Sequence, residues 1–207
     1  MPEPRHFLLF LTAALLLAVT PGPGIFYVLA RSLAGGRREG VLSALGTFFG
    51  GLFHVLAAAL GLSALLAASA AAFAVVKYLG AAYLIYLGVK TILSRAENPA
   101  AVAAAPPRNT LAQGILTEAL NPKTALFFLS FIPQFIAAGH GPAFLPFVLL
   151  GLISVSLNTA ADLVVACFAG PIGQKLIGSP RLRRRQRTAS GLAMIGLGAY
   201  VAVADTR

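Results

Sequence analysis

Apolar residues occupy this chain in long blocks, without the alternation of a half-buried strand or the narrow stripe of a surface helix. Six blocks stand out, at 7–30, 42–66, 70–93, 111–137, 144–170 and 188–204, the last being the shortest. A helix needs about 20 predominantly apolar residues to cross the hydrocarbon core of a bilayer. The pattern therefore predicts an all-α membrane protein with six transmembrane helices. Between the third and fourth blocks lies SRAENPAAVAAAPPRN, residues 94–109, the one interval with the proline and charge content of a linker. It separates residues 7–93 from 111–204 within a single transmembrane domain spanning 1–207.

Two of the blocks are interrupted. In the first, TPGPG at Thr20, Pro21, Gly22, Pro23 and Gly24 follows FLLFLTAALLLAV directly. Interior proline costs a helix about 3 kcal/mol and glycine about 1 kcal/mol relative to alanine, so a plain anchor would not carry this sequence. Pro21 and Pro23 bias Thr20 and Gly22 toward extended backbone. Freed backbone groups within a membrane are tolerated only where protein or a watery cavity covers them. The resumed half-helix would then present free N–H groups and a positive dipole end suited to a carboxylate. A proline kink used for packing is the plainer alternative. The second interruption is EALNPKTALFF, where Pro122 breaks the fourth block and Asn121 can cap the helix that restarts.

The two halves resemble each other. Thr20-Pro21 and Asn121-Pro122 are polar–proline pairs inside spans, followed by Phe26-Tyr27 and Phe127-Phe128. Lys77 and Arg187 open the third and sixth spans, and Gly88 and Gly198 follow each at the same interval. A three-helix unit repeated once must be inverted, because three is odd. Inverted repeats with interrupted helices at corresponding positions are a feature of secondary transporters. The expectation is two inverted three-helix repeats with broken helices 1 and 4.

Composition supports the membrane reading and charge orients it. The chain is 58% hydrophobic and 11% charged, with a mean hydropathy of +0.84, beyond what a soluble domain of this length can bury. A net charge of +10 would suit nucleic acid, but the basic residues are confined to a few inter-helix segments. Of the 16 Lys and Arg, 12 fall in the loops joining spans 1–2, 3–4 and 5–6, including Arg31, Arg37, Arg38 and the run RLRRRQR at Arg181–Arg187. The positive-inside rule then puts both termini outside the cytoplasm, the periplasmic side of a bacterial inner membrane. Arg5 followed by Phe7 to Val19 has the outline of a signal peptide, yet the helical pattern resumes at IFYVLA without a clear cleavage site, and the segment reads as a retained span. The single cysteine, Cys167, excludes an internal disulfide and a two-cysteine redox relay.

Four ionisable residues sit inside the predicted spans: His54, Glu118, Lys123 and Asp162. Each costs about 2.5–3.5 kcal/mol at mid-membrane on insertion scales unless it pairs or lines a cavity. Two acids against one lysine balance only if one group titrates, which makes His54, Glu118 and Asp162 candidates for proton coupling. A structural Lys123–Asp162 salt bridge is the alternative, and Glu118 could instead lie near a membrane face. GTFFGGLFH places Gly46, Gly50 and His54 on one helix face, where small residues admit a neighbour and His54 faces it, for packing or for function.

TPGPG, the Gly46–Gly50–His54 stripe, YLGAAYLIYLGVK, LNPKTALFFLSFIPQF and VLLG together resemble the lysine-exporter (LysE/RhtB) family, over about residues 7–200. The resemblance implies a small bacterial inner-membrane exporter of amino acids or related metabolites, working by exchange for protons. It gives Pro21, Gly22, Pro23, Asn121, Pro122 and Lys123 a substrate-binding role, and the family's polar position in span five falls on Asn158. Adjacent Thr20 and Gly24 join that candidate site. No metal, nucleotide or phosphate motif appears, so no cofactor is expected. The expected partners are an amino acid, protons and the lipid bilayer, with no nucleic acid and with a homo-oligomer left open. The competing classes are a membrane-embedded enzyme or redox carrier, which the scattered His6, His54 and His140 and the lone cysteine disfavour, and a passive solute channel.

Overall fold

The computed structural model describes residues 4–20, 22–68, 70–93, 109–136 and 143–203. Pro21 and residues 94–108 of the expected linker lie outside the described residues. The described chain is helical with no strand, as expected of an all-α membrane protein.

Helix α1 (Pro4–Val19) stops at Thr20, whose N–H donates to the carbonyls of Leu16 and Leu17 at 3.0 and 3.2 Å. Helix α2 (Pro23–Ala68) restarts with proline at its first position, where the missing N–H would have had no helical partner. Helix α3 covers Ala70–Leu93. Helix α4 (Thr110–Ala119) opens under an Asn109 cap, and helix α5 (Pro122–Leu126) opens under Asn121, whose side-chain oxygen accepts the Lys123 N–H at 3.1 Å. A π-helical turn, Phe127–Phe131, and a 3₁₀ turn, Ile132–Phe135, continue α5. Helix α6 (Phe144–Gly178) bends at Phe168, and helix α7 (Pro180–Val203) completes the bundle. The stretches Pro23–Gly61 and Phe144–Ala169 are long and apolar enough to cross a membrane, while His6–Val19 and Arg187–Val203 are shorter apolar helices.

Spans one and two are not joined by the loop that the charges at 31–41 suggest. Helical backbone runs through this region, and within α2 only Gly36 departs from it, at φ 73° and ψ −168°. That left-handed backbone suits glycine, the residue without a β-carbon penalty there. Arg31 is consequently helical and 5% exposed rather than a loop cation. Its guanidinium donates to Gln113 Oε1 at 3.0 Å and stacks over the Tyr27 ring.

The outer surface carries Leu8, Leu60, Leu79, Leu145 and Phe53, all more than half exposed, so large apolar side chains face outward from the bundle. Lipid, not water, satisfies such a surface. The core gathers Phe10, Phe127, Phe131, Ile132, Phe147 and Val201 between α1, the π-helical turn, α6 and α7.

Close packing depends on small residues. A β-carbon added at Gly46 would lie 2.5 Å from the Leu111 carbonyl oxygen, and one at Gly50 2.5 Å from that of Ile115, so α4 fits against α2 only over bare backbone. Two further contacts are reciprocal. Gly51 receives Val155 while Gly151 receives Val55, and Gly88 meets the Gly191 carbonyl while Gly198 meets that of Ala81. Each pair is repeated with its two helices exchanged.

Candidate functional site

The two interruptions face each other inside the bundle, the first closed by a side chain from the second and the second by its own polar residues. At the first, the helical hydrogen bonds of α1 end at Thr20, whose N–H is shared between the Leu16 and Leu17 carbonyls. Lys123, only 5% exposed, reaches across from the second break and donates through Nζ to the carbonyls of Thr20 at 2.8 Å and Leu17 at 3.1 Å. A cation at the negative end of a helix is electrostatically favoured. Gly22 makes room for it, since a β-carbon there would stand 3.1 Å from Nζ. The Thr20 hydroxyl turns back to the Leu16 carbonyl at 2.6 Å.

Glu118 serves the opposite helix end. It is 2% exposed on the last turn of α4, and it bridges the second break by accepting from Asn121 Nδ2 at 2.9 Å and from the Thr124 hydroxyl at 2.6 Å. Its Oε2 would lie 2.7 Å from a β-carbon at Gly24, which places the carboxylate against the first turn of α2. That is the positive dipole end, where an anion is stabilised. Glu118 is thus buried inside the bundle. The backbone carbonyl of Glu118 receives His54 Nε2 at 2.8 Å. Because a carbonyl only accepts, Nε2 carries the hydrogen, and His54 caps α4 from the stripe formed with Gly46 and Gly50.

Asp162 on α6 is fully buried. Its Oδ2 lies 2.7 Å from the Thr47 hydroxyl, which is also 2.9 Å from the Ala44 carbonyl oxygen. Among the described residues, no ion pair joins Lys123 to Asp162; the one pair within 4.0 Å is Arg38–Glu39 at the surface. The lysine is held by carbonyls, which the sequence does not reveal because every residue carries one. Asn158 lies one turn before Asp162, half-buried, and no hydrogen bond ties it to the cluster. Pro122 and Pro23 act as first residues of the restarting helices α5 and α2. Thr47 and Thr124 are site residues that sequence reasoning missed; Thr124 falls inside LNPKT, one residue after Lys123, whereas an isolated threonine such as Thr47 carries no signal.

Two features flank the cluster. On the side of Arg37 and Arg38, the Tyr27 hydroxyl donates to the Thr110 carbonyl at 2.7 Å, and the Thr110 hydroxyl donates to Glu39 Oε2 at 2.5 Å. With Arg31–Gln113, these bonds tie α2 to the start of α4. A groove of about 300 Å³, open to the outside of the bundle past Leu9 and Leu16, runs between α1 and α7 and reaches Thr20. Leu9, Leu16, Leu17, Phe131, Met194 and Leu197 make it almost wholly apolar.

A helical membrane protein built around two facing helix breaks, with a cation and an anion crossing between them, is in class a small multi-span translocator. The LysE type translocator matches residues 15–205, and the chain belongs to that family. It is 36% identical over 200 residues to an uncharacterized membrane protein of Pseudomonas aeruginosa, covering 93% of this chain and 89% of that one. A leucine efflux protein of Klebsiella pneumoniae is 33% identical over 150 residues, 71% of each chain. Another from Salmonella choleraesuis is 29% identical over 205 residues, 93% of this chain and 92% of that one. No solved structure matches the chain.

Proposed function

We propose that this protein is a secondary exporter of amino acids with apolar side chains, exchanging its substrate for protons across the bacterial cytoplasmic membrane. One observation carries this reading. Lys123 on the carbonyl end of α1 and Glu118 at the N-terminal end of α2 lay out a positive and a negative group across one helix break. An amino acid is a zwitterion with the same two groups. Its carboxylate would take the place of Glu118 at the start of α2 or bond to Lys123, and its ammonium would meet the freed carbonyls or an acid. The site's own charges stand in for the substrate when it is empty, so the breaks are never left unsatisfied.

The apolar groove reaching Thr20 gives such a substrate a place for its side chain, and the relatives named leucine efflux proteins agree with that size and polarity. Export from loaded proteoliposomes should favour leucine, isoleucine and methionine over aspartate and lysine. Gly196 lines the groove, and a β-carbon there meets nothing within 4 Å. Gly196→Leu should therefore fold normally while lowering leucine export relative to alanine export about tenfold. Unchanged selectivity would remove the side chain from this groove.

Alternating access would come from rocking of one three-helix repeat against the other. The reciprocal Gly51–Val155 and Gly151–Val55 contacts, with their α3–α7 counterparts, support a pseudo-two-fold relation between the repeats. The Tyr27, Arg31, Glu39, Thr110 and Gln113 contacts would then be the closed gate on the cytoplasmic side. Terminal fusions should be active with a reporter that works after export and silent with one that works in the cytoplasm, at both ends. A cytoplasmic N-terminus would overturn the inverted arrangement.

A further inference from the structure

The exchange reading leaves open which group carries the proton, and one buried carboxyl has hydrogen-bond contacts that answer this. Asp162 has no exposed surface, and its Oδ1 has no hydrogen-bond partner among the described residues. The charged groups facing it from neighbouring helices are Glu118 on α4 and Lys123 on α5, and among the described residues no ion pair joins it to Lys123. An ionised carboxylate in that setting, with one hydrogen bond and no cation in direct contact, is strongly disfavoured. Thr47 adds a second constraint. Its hydroxyl has one hydrogen but two acceptors in range, the Ala44 carbonyl at 2.9 Å and Asp162 Oδ2 at 2.7 Å. Both contacts are hydrogen bonds at once only if the carboxyl donates to Thr47 Oγ1 and Thr47 donates to Ala44.

We infer that Asp162 is the proton-binding group of the exchange cycle, that it is protonated in this conformation, and that Thr47 is its positioning residue. Resting on the exchange reading, the step is a plain proton transfer. A proton from water on one side forms the Oδ2–H bond, and after reorientation that bond breaks and the proton leaves to water on the other side. Nothing is oxidised or reduced. The Thr47 hydroxyl serves both states by rotating: it accepts from the neutral carboxyl and donates to the ionised one. The ionised form, exposed to a cavity, is then free to pair with the substrate ammonium. Substrate and proton therefore alternate at one carboxylate.

The test uses the full-length protein in proteoliposomes and has a spectroscopic arm. Asp162→Asn should lose acceleration of leucine export by an imposed pH gradient, at least about tenfold, and should weaken leucine–leucine counterflow as well, because the substrate ammonium loses its partner. In infrared difference spectra, the wild-type carbonyl-stretch band of a protonated carboxyl should fall when leucine is added, and it should be absent from Asp162→Asn. Thr47→Val, which preserves shape, should shift that band and move the pH of half-maximal export upward by about one unit, because the ionised form loses its one donor. That variant keeps the test open if Asp162→Asn does not fold. Full gradient-driven export in Asp162→Asn, or a band that Thr47→Val leaves unmoved, overturns the assignment. A wild-type protein that moves no amino acid overturns the exporter reading instead, while the infrared band still reports on Asp162.

Discussion

Lys123→Met is expected to abolish export, to the level of membranes lacking the protein. Two charge-assisted hydrogen bonds disappear, those to the carbonyls of Thr20 and Leu17, and such bonds contribute about 1.5–3 kcal/mol each. Their loss loosens the end of α1, and in the exporter reading the substrate carboxylate also loses its cation, which corresponds to roughly tenfold or more in affinity. Methionine matches the length of the side chain and fits the apolar surroundings, so the effect isolates the charge. Glu118 remains behind without a cation near it, and membrane abundance should fall as well. Lys123→Arg is the informative control. It keeps the charge, but a β-carbon at Gly22 would already stand 3.1 Å from Nζ, and the planar guanidinium does not fit so close to backbone. Arginine should restore abundance more than export. Normal leucine export by Lys123→Met would show that the lysine only caps α1.

A comparable loss is expected at the start of α2. Gly24→Ala would put a β-carbon 2.7 Å from Glu118 Oε2 and 3.6 Å from Thr47 Cγ2. The carboxylate must move off the helix end, and overpacking of this kind costs about 1–3 kcal/mol. Export should fall about tenfold or more in Gly24→Ala, and Gly24→Val should abolish it. Adding Glu118→Ala to Gly24→Ala should recover the thermal stability of the purified protein, because the clash is relieved. It should not recover export, since the anion position opposite Lys123 is then vacant. Recovery of both would mean that Glu118 shapes the break without taking part in transport. Replacing Pro21, Gly22, Pro23 and Gly24 together by alanine should heal the helix and silence export while the chain still inserts.

Short-range features of the sequence anticipate much of this architecture. The breaks at Thr20 and Asn121 were legible because proline removes a donor and restricts the residue before it, whatever surrounds it. The Gly46–Gly50–His54 stripe was legible because four-residue spacing keeps one helix face together, and that face does meet α4. The two motifs Gly51-Leu52-Phe53-His54-Val55 and Gly151-Leu152-Ile153-Ser154-Val155 were also open to reading, and their glycines and valines are the ones that pack reciprocally.

The choice of partner across helices was not legible. A buried lysine and a buried aspartate suggest an ion pair by charge alone, yet Lys123 is met by carbonyls exposed at the end of α1, and Asp162 by a threonine. Charges at Arg31, Arg37 and Arg38 suggest a loop, yet one glycine in left-handed backbone is enough to turn the chain, and Arg31 stays buried in the helix. Helix breaks, apolar helical blocks and small-residue stripes follow from backbone preferences and periodicity over a few residues, and the sequence by itself determines them. Which freed carbonyl, carboxylate or hydroxyl meets which side chain depends on how helices far apart in the chain come to rest against one another. Only the tertiary structure decides that, because backbone carbonyls are common to every residue and become ligands only where packing leaves them uncovered.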